Sequence, residues 1–115
     1  MIAEGQIILF KFPQTDQTGG KLRPALILRQ LPGEVNDWLI CMISSQLDRK
    51  IPDFDELITP NDLDFKKSGL KLSSVIRISR IAVVSSDILL GNLGRIDTQR
   101  LVRIKQRLCD WIQDI

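Results

Sequence analysis

The chain has 115 residues, which is enough for one hydrophobic core, and we predict a single domain over residues 1–115. Its hydrophobic content of 43% and its charged content of 26% are ordinary for a soluble globular protein. The net charge of +2 permits a polyanionic partner without requiring one, and the lack of histidine restricts acid–base chemistry to Arg, Lys, Asp, Glu, Ser or water.

Several protein classes are excluded by simple patterns. The N-terminus lacks a basic region followed by an apolar one, so we expect no signal peptide. No apolar run approaches the roughly 20 residues of a membrane span. Cys41 and Cys109 have no metal-binding or redox spacing, and two cysteines are too few for a disulfide scaffold. We therefore expect a protein of the reducing cytoplasm with no membrane partner, no metal and no cofactor.

The first predicted strand runs from Gln6 to Lys11 and ends at Phe12-Pro13. A polar loop follows over residues 14–22, rich in Gln, Thr, Asp and Gly. Its Gly19-Gly20 pair can adopt positive φ angles. A polar loop of this length in a compact domain is often functional, and this one leads directly into Arg23.

The second predicted strand runs from Arg23 to Gln30 and contains an unbroken apolar run, which indicates burial on both faces. Pro24 cannot donate a ladder hydrogen bond, so it belongs near the start of the strand. It also biases Arg23 away from helix. The pattern thus fixes a guanidinium group where a loop meets a rigid strand, a common position for functional side chains.

Further short strands and one terminal helix are predicted along the rest of the chain. The strands lie at residues 38–43, 54–58, 72–78 and 80–84, with a strand or turn at 93–96. Single helical turns are predicted near Phe65 and after Ser85. The helix should run from Thr98 to about Gln113, with Asp97 as its N-cap. This order of elements predicts a small barrel or a strongly curved sheet with the helix packed on it.

The predicted helix has an apolar stripe and a basic face. The stripe recurs at three- and four-residue spacing and contains Leu101, Ile104, Leu108, Trp111 and Ile115. The other face carries Arg100, Arg103, Lys105 and Arg107. A basic helix face is more often solvated than bound to nucleic acid, so we expect these four side chains to be exposed.

The segments described so far resemble the PemK/MazF family of toxins. The resemblance starts with Gly5-Gln6-Ile7-Ile8-Leu9-Phe10 and continues through Lys21-Leu22-Arg23-Pro24-Ala25-Leu26. It extends to Ile43-Ser44-Ser45-Gln46, to Ser74-Val75-Ile76-Arg77 and to the C-terminal helix. It implies a mainly β, small SH3-like barrel of the PemK/MazF/CcdB type with a C-terminal α-helix. A homodimer and a protein antitoxin as partner are implied as well.

The resemblance also implies a metal-independent, sequence-specific endoribonuclease that acts on single-stranded RNA. In that reaction a ribose 2′-hydroxyl attacks the adjacent phosphate and leaves a cyclic phosphate. Arg23 stands where family members have a catalytic Arg, and guanidinium suits the charged transition state. Ser44 stands where many members have a catalytic Thr, so the hydroxyl is kept. Arg77 matches a second Arg that some members use near the scissile phosphate.

One position departs from the family pattern. Two residues after the second Arg, some members carry an Asp thought to act as base, and this chain has Ser79 there. A hydroxyl is a poor base near neutral pH, so Asp16 of the loop is a substitute candidate. The expected RNA contacts are Phe12, by stacking, with Asp16, Lys21, Gln46, Ser79 and Arg80.

Three functions remain open from the sequence. The first is a type II toxin that cleaves mRNA. The second is a non-catalytic module on the same barrel that binds nucleic acid or protein, which the Ser79 departure favours. The third is a toxin that poisons DNA gyrase, as the related CcdB toxins do. The Arg23-Pro24 run and Ser44 resemble the ribonuclease branch more than the gyrase branch.

Overall fold

The computed structural model describes residues 1–12 and 21–114, and for Phe12 it describes the backbone only. Six antiparallel strands form one sheet in the order β4-β5-β3-β2-β1-β6. The strands are β1 (Gln6–Phe12), β2 (Lys21–Gln30), β3 (Asp37–Ser44), β4 (Glu56–Ile58), β5 (Ser74–Ser85) and β6 (Leu89–Arg95). The long strand β5 pairs with β4 through its first three residues and with β3 along both of its halves.

Two helices and two 3₁₀ turns complete the described chain. The helices are α1 (Phe65–Ser68) and α2 (Thr98–Gln113), and the 3₁₀ turns are Leu47–Arg49 and Ser86–Ile88. The Ser85 hydroxyl accepts the Asp87 N–H and caps the second turn, as predicted. Neither helix is long and apolar enough to cross a membrane within the described part of the chain.

The sheet buries an apolar cluster on each face, which explains the unbroken apolar runs of β2 and β3. The larger cluster lies under α2 and includes Leu26, Cys41, Ile76 and Ile104. The other contains Ile8, Phe10, Ala25, Ile27, Trp38 and Ile40 and is covered partly by Ile2, Ile88 and Leu89. Each fully buried aliphatic side chain stabilises the fold by roughly 1.5–3 kcal/mol.

Helix α2 has the predicted limits, but its basic face is not solvated as expected. Arg100 is only 7% exposed, because it is held by carboxylates from two other segments. Its Nε–H and Nη2–H groups donate to Asp64 at 2.8 and 3.1 Å, and its Nη1–H donates to Glu56 at 2.8 Å. Arg103 also binds Glu56. The basic residues thus anchor the helix to β4 and to the segment before α1, and the expectation that all four are exposed is wrong.

The apolar stripe of α2 is buried at Ile104 and Leu108 and opens toward solvent near the C-terminus. Trp111 is 64% exposed, and its ring is tilted by 57° to the ring of Phe54, with centroids 5.9 Å apart. The Asp97 residue occupies the N-cap position as predicted, although its carboxylate pairs with Lys67 instead of capping the helix. Ile115 lies outside the described residues.

The two edge strands of the sheet are brought together by α1, which follows β4 and packs on β6. The approach is so close that a Cβ atom on Gly94 would lie 2.1 Å from the Lys67 carbonyl oxygen. A Cβ atom on Gly69 would lie 2.2 Å from the Leu93 carbonyl oxygen. Gly69 also has φ +76°, a backbone conformation that favours glycine. These two glycines allow the curved sheet to close on itself through α1.

The predicted strands at residues 72–78 and 80–84 form a single strand, β5, with an irregularity between its halves. Met42 of β3 pairs with Arg77, and the next β3 residue toward the N-terminus, Cys41, pairs with Ile81. Residues 78–80 therefore form a bulge without partners on β3. A bulge bends a strand and increases its twist, which suits a strand that changes neighbours halfway along.

Candidate functional site

A cleft of about 730 Å³ lies where the start of β2, the end of β3 and the middle of β5 meet. The strand register explains this convergence: Ala25 of β2 pairs with Met42 of β3, and Met42 also pairs with Arg77 of β5. The polar side chains that line the cleft are Lys21, Arg23, Ser44, Ser45, Gln46, Arg49, Lys71, Ser74, Arg77 and Arg80.

Arg23 is exposed and lies in β2 opposite Phe10 of β1. The next residue, Pro24, pairs with Leu9 of β1, whereas the ladder from β2 to β3 begins only at Ala25. Proline is therefore tolerated, because this part of β2 has no neighbour on its second side within the described residues. Arg23 thus lies at the cleft, at the start of a strand that is buried at residues 25–28.

Ser44 ends β3 and is half-buried. Its Oγ accepts the Gln46 N–H at 3.1 Å, a local turn that fixes the hydroxyl at the strand end. Because the oxygen accepts this bond, the hydroxyl hydrogen is directed elsewhere and can be donated to a ligand. The Oε1 of Gln46 in turn accepts the Nε–H of Arg49, which brings a second guanidinium group to the same end of the cleft.

Arg77, just before the β5 bulge, and Arg80, its last residue, both line the cleft. The Nε atom of Arg77 is buried and has no hydrogen-bond partner among the described residues. Ser79, between them, does not line the cleft. Its N–H and its hydroxyl both donate to the carboxylate of Asp55, at 2.9 Å each.

The cleft is strongly cationic although the net charge of the chain is small. The lining contains no Asp or Glu among the described residues. It contains six basic side chains: Lys21, Arg23, Arg49, Lys71, Arg77 and Arg80. None of the six forms an ion pair with a described residue, whereas Arg100 and Arg103 are neutralised by carboxylates elsewhere. Uncompensated positive charge in a concave surface attracts polyanions.

The structure brings together six of the residues predicted from the sequence: Lys21, Arg23, Ser44, Gln46, Arg77 and Arg80. It places Ser79 against Asp55 instead. Asp16 and the side chain of Phe12 lie outside the described residues. Sequence reasoning missed Arg49 and Lys71, because a basic residue in a loop looks the same whether it faces a ligand or only solvent.

Metal ligands do not gather in the described part of the chain. No group of three or more His, Cys, Asp or Glu side chains is placed there so that it could hold a metal ion. The three buried carboxylates of the described residues, Asp55, Glu56 and Asp64, each accept hydrogen bonds from protein donors. The chemistry that the cleft itself offers is that of guanidinium, ammonium, hydroxyl and amide groups.

Comparison with known proteins gives one family and a consistent fold. The family model for the PemK-like, MazF-like toxin of type II toxin–antitoxin system matches residues 3–112. A comparison with curated protein sequences finds no match.

Solved structures similar to this chain include three that cover almost all of it. The toxin MazF-mt6 of Mycobacterium tuberculosis is 14% identical, with a TM-score of 0.68 and coverage of 94% of this chain and 96% of that chain. An endoribonuclease in complex with its cognate antitoxin from a mycobacterial species is 16% identical, with a TM-score of 0.66 and coverage of 98% and 96%. The MazE–MazF structure from Deinococcus radiodurans is 18% identical, with a TM-score of 0.70 and coverage of 97% and 96%. The predicted mainly β barrel fold with a C-terminal helix is confirmed.

Proposed function

The chain belongs to the PemK-like, MazF-like toxin family of type II toxin–antitoxin systems, and from this premise we propose that it is a metal-independent, sequence-specific endoribonuclease acting on single-stranded mRNA in the cytoplasm. The observation that carries the proposal is the cleft with six basic side chains and no described carboxylate. Single-stranded RNA supplies a phosphate at every nucleotide, and its unstacked bases are open to recognition by side chains.

The proposed reaction is attack of a ribose 2′-hydroxyl on the adjacent phosphate. The new bond joins the 2′-oxygen to phosphorus, the bond to the 5′-oxygen breaks, and the products are a 2′,3′-cyclic phosphate and a 5′-hydroxyl. Negative charge grows on the phosphoryl oxygens in the transition state. Arg23 and Arg77 would stabilise that charge with paired N–H donors, and the Ser44 hydroxyl would donate a further hydrogen bond.

A second function is favoured by one observation. Ser79 occupies the position where some family members carry an acidic residue, and its hydroxyl is committed to Asp55. The described part of the cleft therefore presents no carboxylate that could take the proton of the 2′-hydroxyl. A module that binds RNA in this cleft without cleaving it is the alternative function.

The test is incubation of the purified protein with long single-stranded RNA in excess EDTA, followed by analysis of the ends formed. Cleavage that leaves cyclic-phosphate ends, and that recurs at the same short sequences, supports the ribonuclease. Binding of RNA without cleavage supports the alternative module. DNA damage that depends on gyrase, with no action on RNA, would contradict both.

We propose a protein antitoxin as the physiological partner. Two of the similar structures contain a toxin together with an antitoxin. A disordered acidic segment laid over the cleft would gain attraction from Arg23, Arg77 and Arg80 and would exclude RNA. Antitoxin and an uncleavable RNA should therefore compete, and simultaneous binding without mutual weakening would count against a shared site.

We also propose that the protein is a homodimer. The apolar runs of β3 and of the first half of β5 are covered within the chain, as Ile40 and Ile76 are fully buried. The exposed apolar side chains that a second copy could cover include Ile81 and Val83 in the second half of β5 and Leu90 on β6. Light scattering at micromolar concentration should give twice the chain mass, and a monomer at that concentration would contradict the proposal.

A further inference from the structure

The bulge in β5 decides which face of the strand Arg80 occupies. In a regular strand successive side chains alternate, so residues 77 and 80 would point to opposite faces. Arg80 would then share the face of Ile78, which is 1% exposed and belongs to the core under α2. Instead both arginines line the cleft. The unpaired residues 78–80 therefore re-aim Arg80 by interrupting the alternation.

The Asp55 carboxylate accepts the hydrogen bonds of Ser79, the middle residue of the bulge. Asp55 is 1% exposed and lies just before β4. Its Oδ1 accepts the Ser79 N–H, and its Oδ2 accepts the Ser79 hydroxyl and the Ile51 N–H, all at 2.9 Å. A buried N–H group without a partner is costly, so the carboxylate is what makes this bulge stable.

Arg77 directly precedes the bulge, and its backbone pairs with Met42 of β3. Its Nε is buried without a hydrogen-bond partner among the described residues, so no described side chain fixes the guanidinium group through that atom. The backbone path from Arg77 to Arg80 is fixed at its midpoint by the two bonds from Ser79 to Asp55. A shift of that midpoint would move both cationic groups together.

We propose that Asp55 is a positioning residue of the cleft, which acts through Ser79 to hold the β5 bulge so that Arg77 and Arg80 both point at a bound phosphate. The inference rests on the proposed ribonuclease function. Asp55 touches no substrate in this scheme, since neither it nor Ser79 lines the cleft. Its effect is on the geometry of the arginines.

The test variant is Asp55→Asn, which keeps the size of the side chain but replaces one acceptor oxygen with an NH₂ group. At least one of the three donors then faces another donor, and the bulge shifts. Misplacement of catalytic groups by about 1 Å can cost about 10²-fold, so we expect kcat to fall by about 10- to 100-fold. KM for RNA should not rise, because the six cations remain and one negative charge near them is lost.

Asp64→Asn is the matched control. Asp64 is also a buried aspartate, 2% exposed, but its carboxylate binds Arg100 and the Asp97 N–H, and it does not line the cleft. This variant should lose stability and keep the wild-type kcat at a temperature where it is folded. A milder variant, Ser79→Ala, retains the backbone N–H bond and should lower kcat by about fivefold, the equivalent of one hydrogen bond.

The outcomes are separable. Three outcomes would overturn the positioning role and leave the ribonuclease proposal intact. They are an unchanged kcat in Asp55→Asn, a rise of KM with no fall of kcat in Asp55→Asn, and a fall of kcat in Asp64→Asn equal to that in Asp55→Asn. If Asp55→Asn does not fold, the kcat of Ser79→Ala is measured instead, and an unchanged kcat there would overturn the positioning role. If the wild-type protein cleaves no RNA, the ribonuclease proposal fails. The positioning role is then decided by the NMR signals of the Arg77 and Arg80 Nε–H groups. They should shift in Asp55→Asn and not in Asp64→Asn, and unchanged signals would overturn it.

Discussion

Arg23 has an exposed charged side chain on a backbone that is fixed in β2. The strand continues into four consecutive buried residues at positions 25–28. On the other side of Arg23, the pairing of β2 with β1 extends to Lys21. The backbone that carries the guanidinium group is therefore already in place when a phosphate binds, and only the Arg23 side chain has to become ordered. Removal of the Arg23 side chain should leave the core undamaged, since no buried residue in the described part of the chain bonds to its head group.

We predict that Arg23→Ala lowers the rate of RNA cleavage by about 10²-fold or more, the usual loss when a preorganised donor to a transition state is removed. Arg23→Lys should recover only part of the rate, because lysine keeps the charge but not the two-pronged donor. Ser44→Ala should cost less than Arg23→Ala, as it removes one neutral hydrogen bond.

Arg29→Ala provides the control for Arg23, since Arg29 is exposed near the other end of the same strand and does not line the cleft. Its cleavage rate should equal that of the wild type. Circular dichroism and sizing should be unchanged for all of these variants. Wild-type cleavage by Arg23→Ala would show that the active site has been assigned wrongly.

At the scale of single elements, β5 shows where sequence patterns stop being informative. The apolar and polar alternation located the strands, and the spacing of Leu101, Ile104 and Leu108 located α2, because both are local periodicities. The local pattern predicts two separate strands at residues 72–78 and 80–84, and it does not predict the bulge that joins them into β5. Ser79 in the bulge binds Asp55, a residue 24 positions away along the chain, and no local pattern reports such a partner.

The same reason explains the error about the basic face of α2. Arg100, Arg103 and Arg107 look like a solvated surface in the sequence, but Glu56 and Asp64 arrive from β4 and from the segment before α1. Burial alone would raise the pKa of Asp64, but the hydrogen bonds from Arg100 and the Asp97 N–H, with the charge of Arg100, outweigh it and lower the pKa. The ionised carboxylate is therefore favoured by folding.

Asp64→Asn should lower the free energy of unfolding by about 3 kcal/mol at pH 7, as expected when one partner of a buried ion pair is removed. Because the pKa in the folded state lies below the unfolded value of 3.8, this contribution is complete above that value and is lost as the pH falls through the folded pKa. Urea unfolding between pH 7 and pH 3 should show the difference from wild type shrinking on acidification. A difference that stays constant or grows would refute this account of Asp64.

The contact between α1 and β6 predicts unequal effects of two glycine substitutions in one strand. In Gly94→Ala the new methyl group would meet the backbone of Lys67 and Ser68, neither of which can move cheaply, so we expect a loss of about 1–3 kcal/mol. Gly91→Ala is the control, because a Cβ atom there has nothing within 4 Å. Thermal unfolding compares the two, and equal melting temperatures would mean that the edges of the sheet are not held together through α1.

For the molecule as a whole, the distribution of charge matters more than its sum. The net charge of +2 arises from 16 basic and 14 acidic residues, so the chain is nearly balanced. The carboxylates are used in part to neutralise α2, and the cleft keeps six cations without a described partner. A nearly neutral protein can in this way present a strongly positive groove. Composition alone permitted a polyanionic partner, and the fold concentrates the charge where such a partner would bind.

This distribution predicts a steep dependence of RNA binding on salt. Each phosphate contact with single-stranded RNA contributes about −0.7 to the slope of log K against log salt concentration, so four to six contacts would give a slope of about −3 to −4.

Lys71→Ala should make the slope less steep by about 0.7, the share of one contact, with a similar loss of affinity for every sequence. Lys66→Ala is the matched control, as Lys66 is an exposed lysine of α1 that does not line the cleft. Fluorescence anisotropy with 2′-O-methyl RNA between about 50 and about 300 mM salt, a range of about sixfold, measures the slopes of the wild type and of both variants. If both lysine variants change the slope equally, RNA is held by the diffuse charge of the surface and not by the cleft, and the assignment of the binding site is wrong even if the protein cleaves RNA.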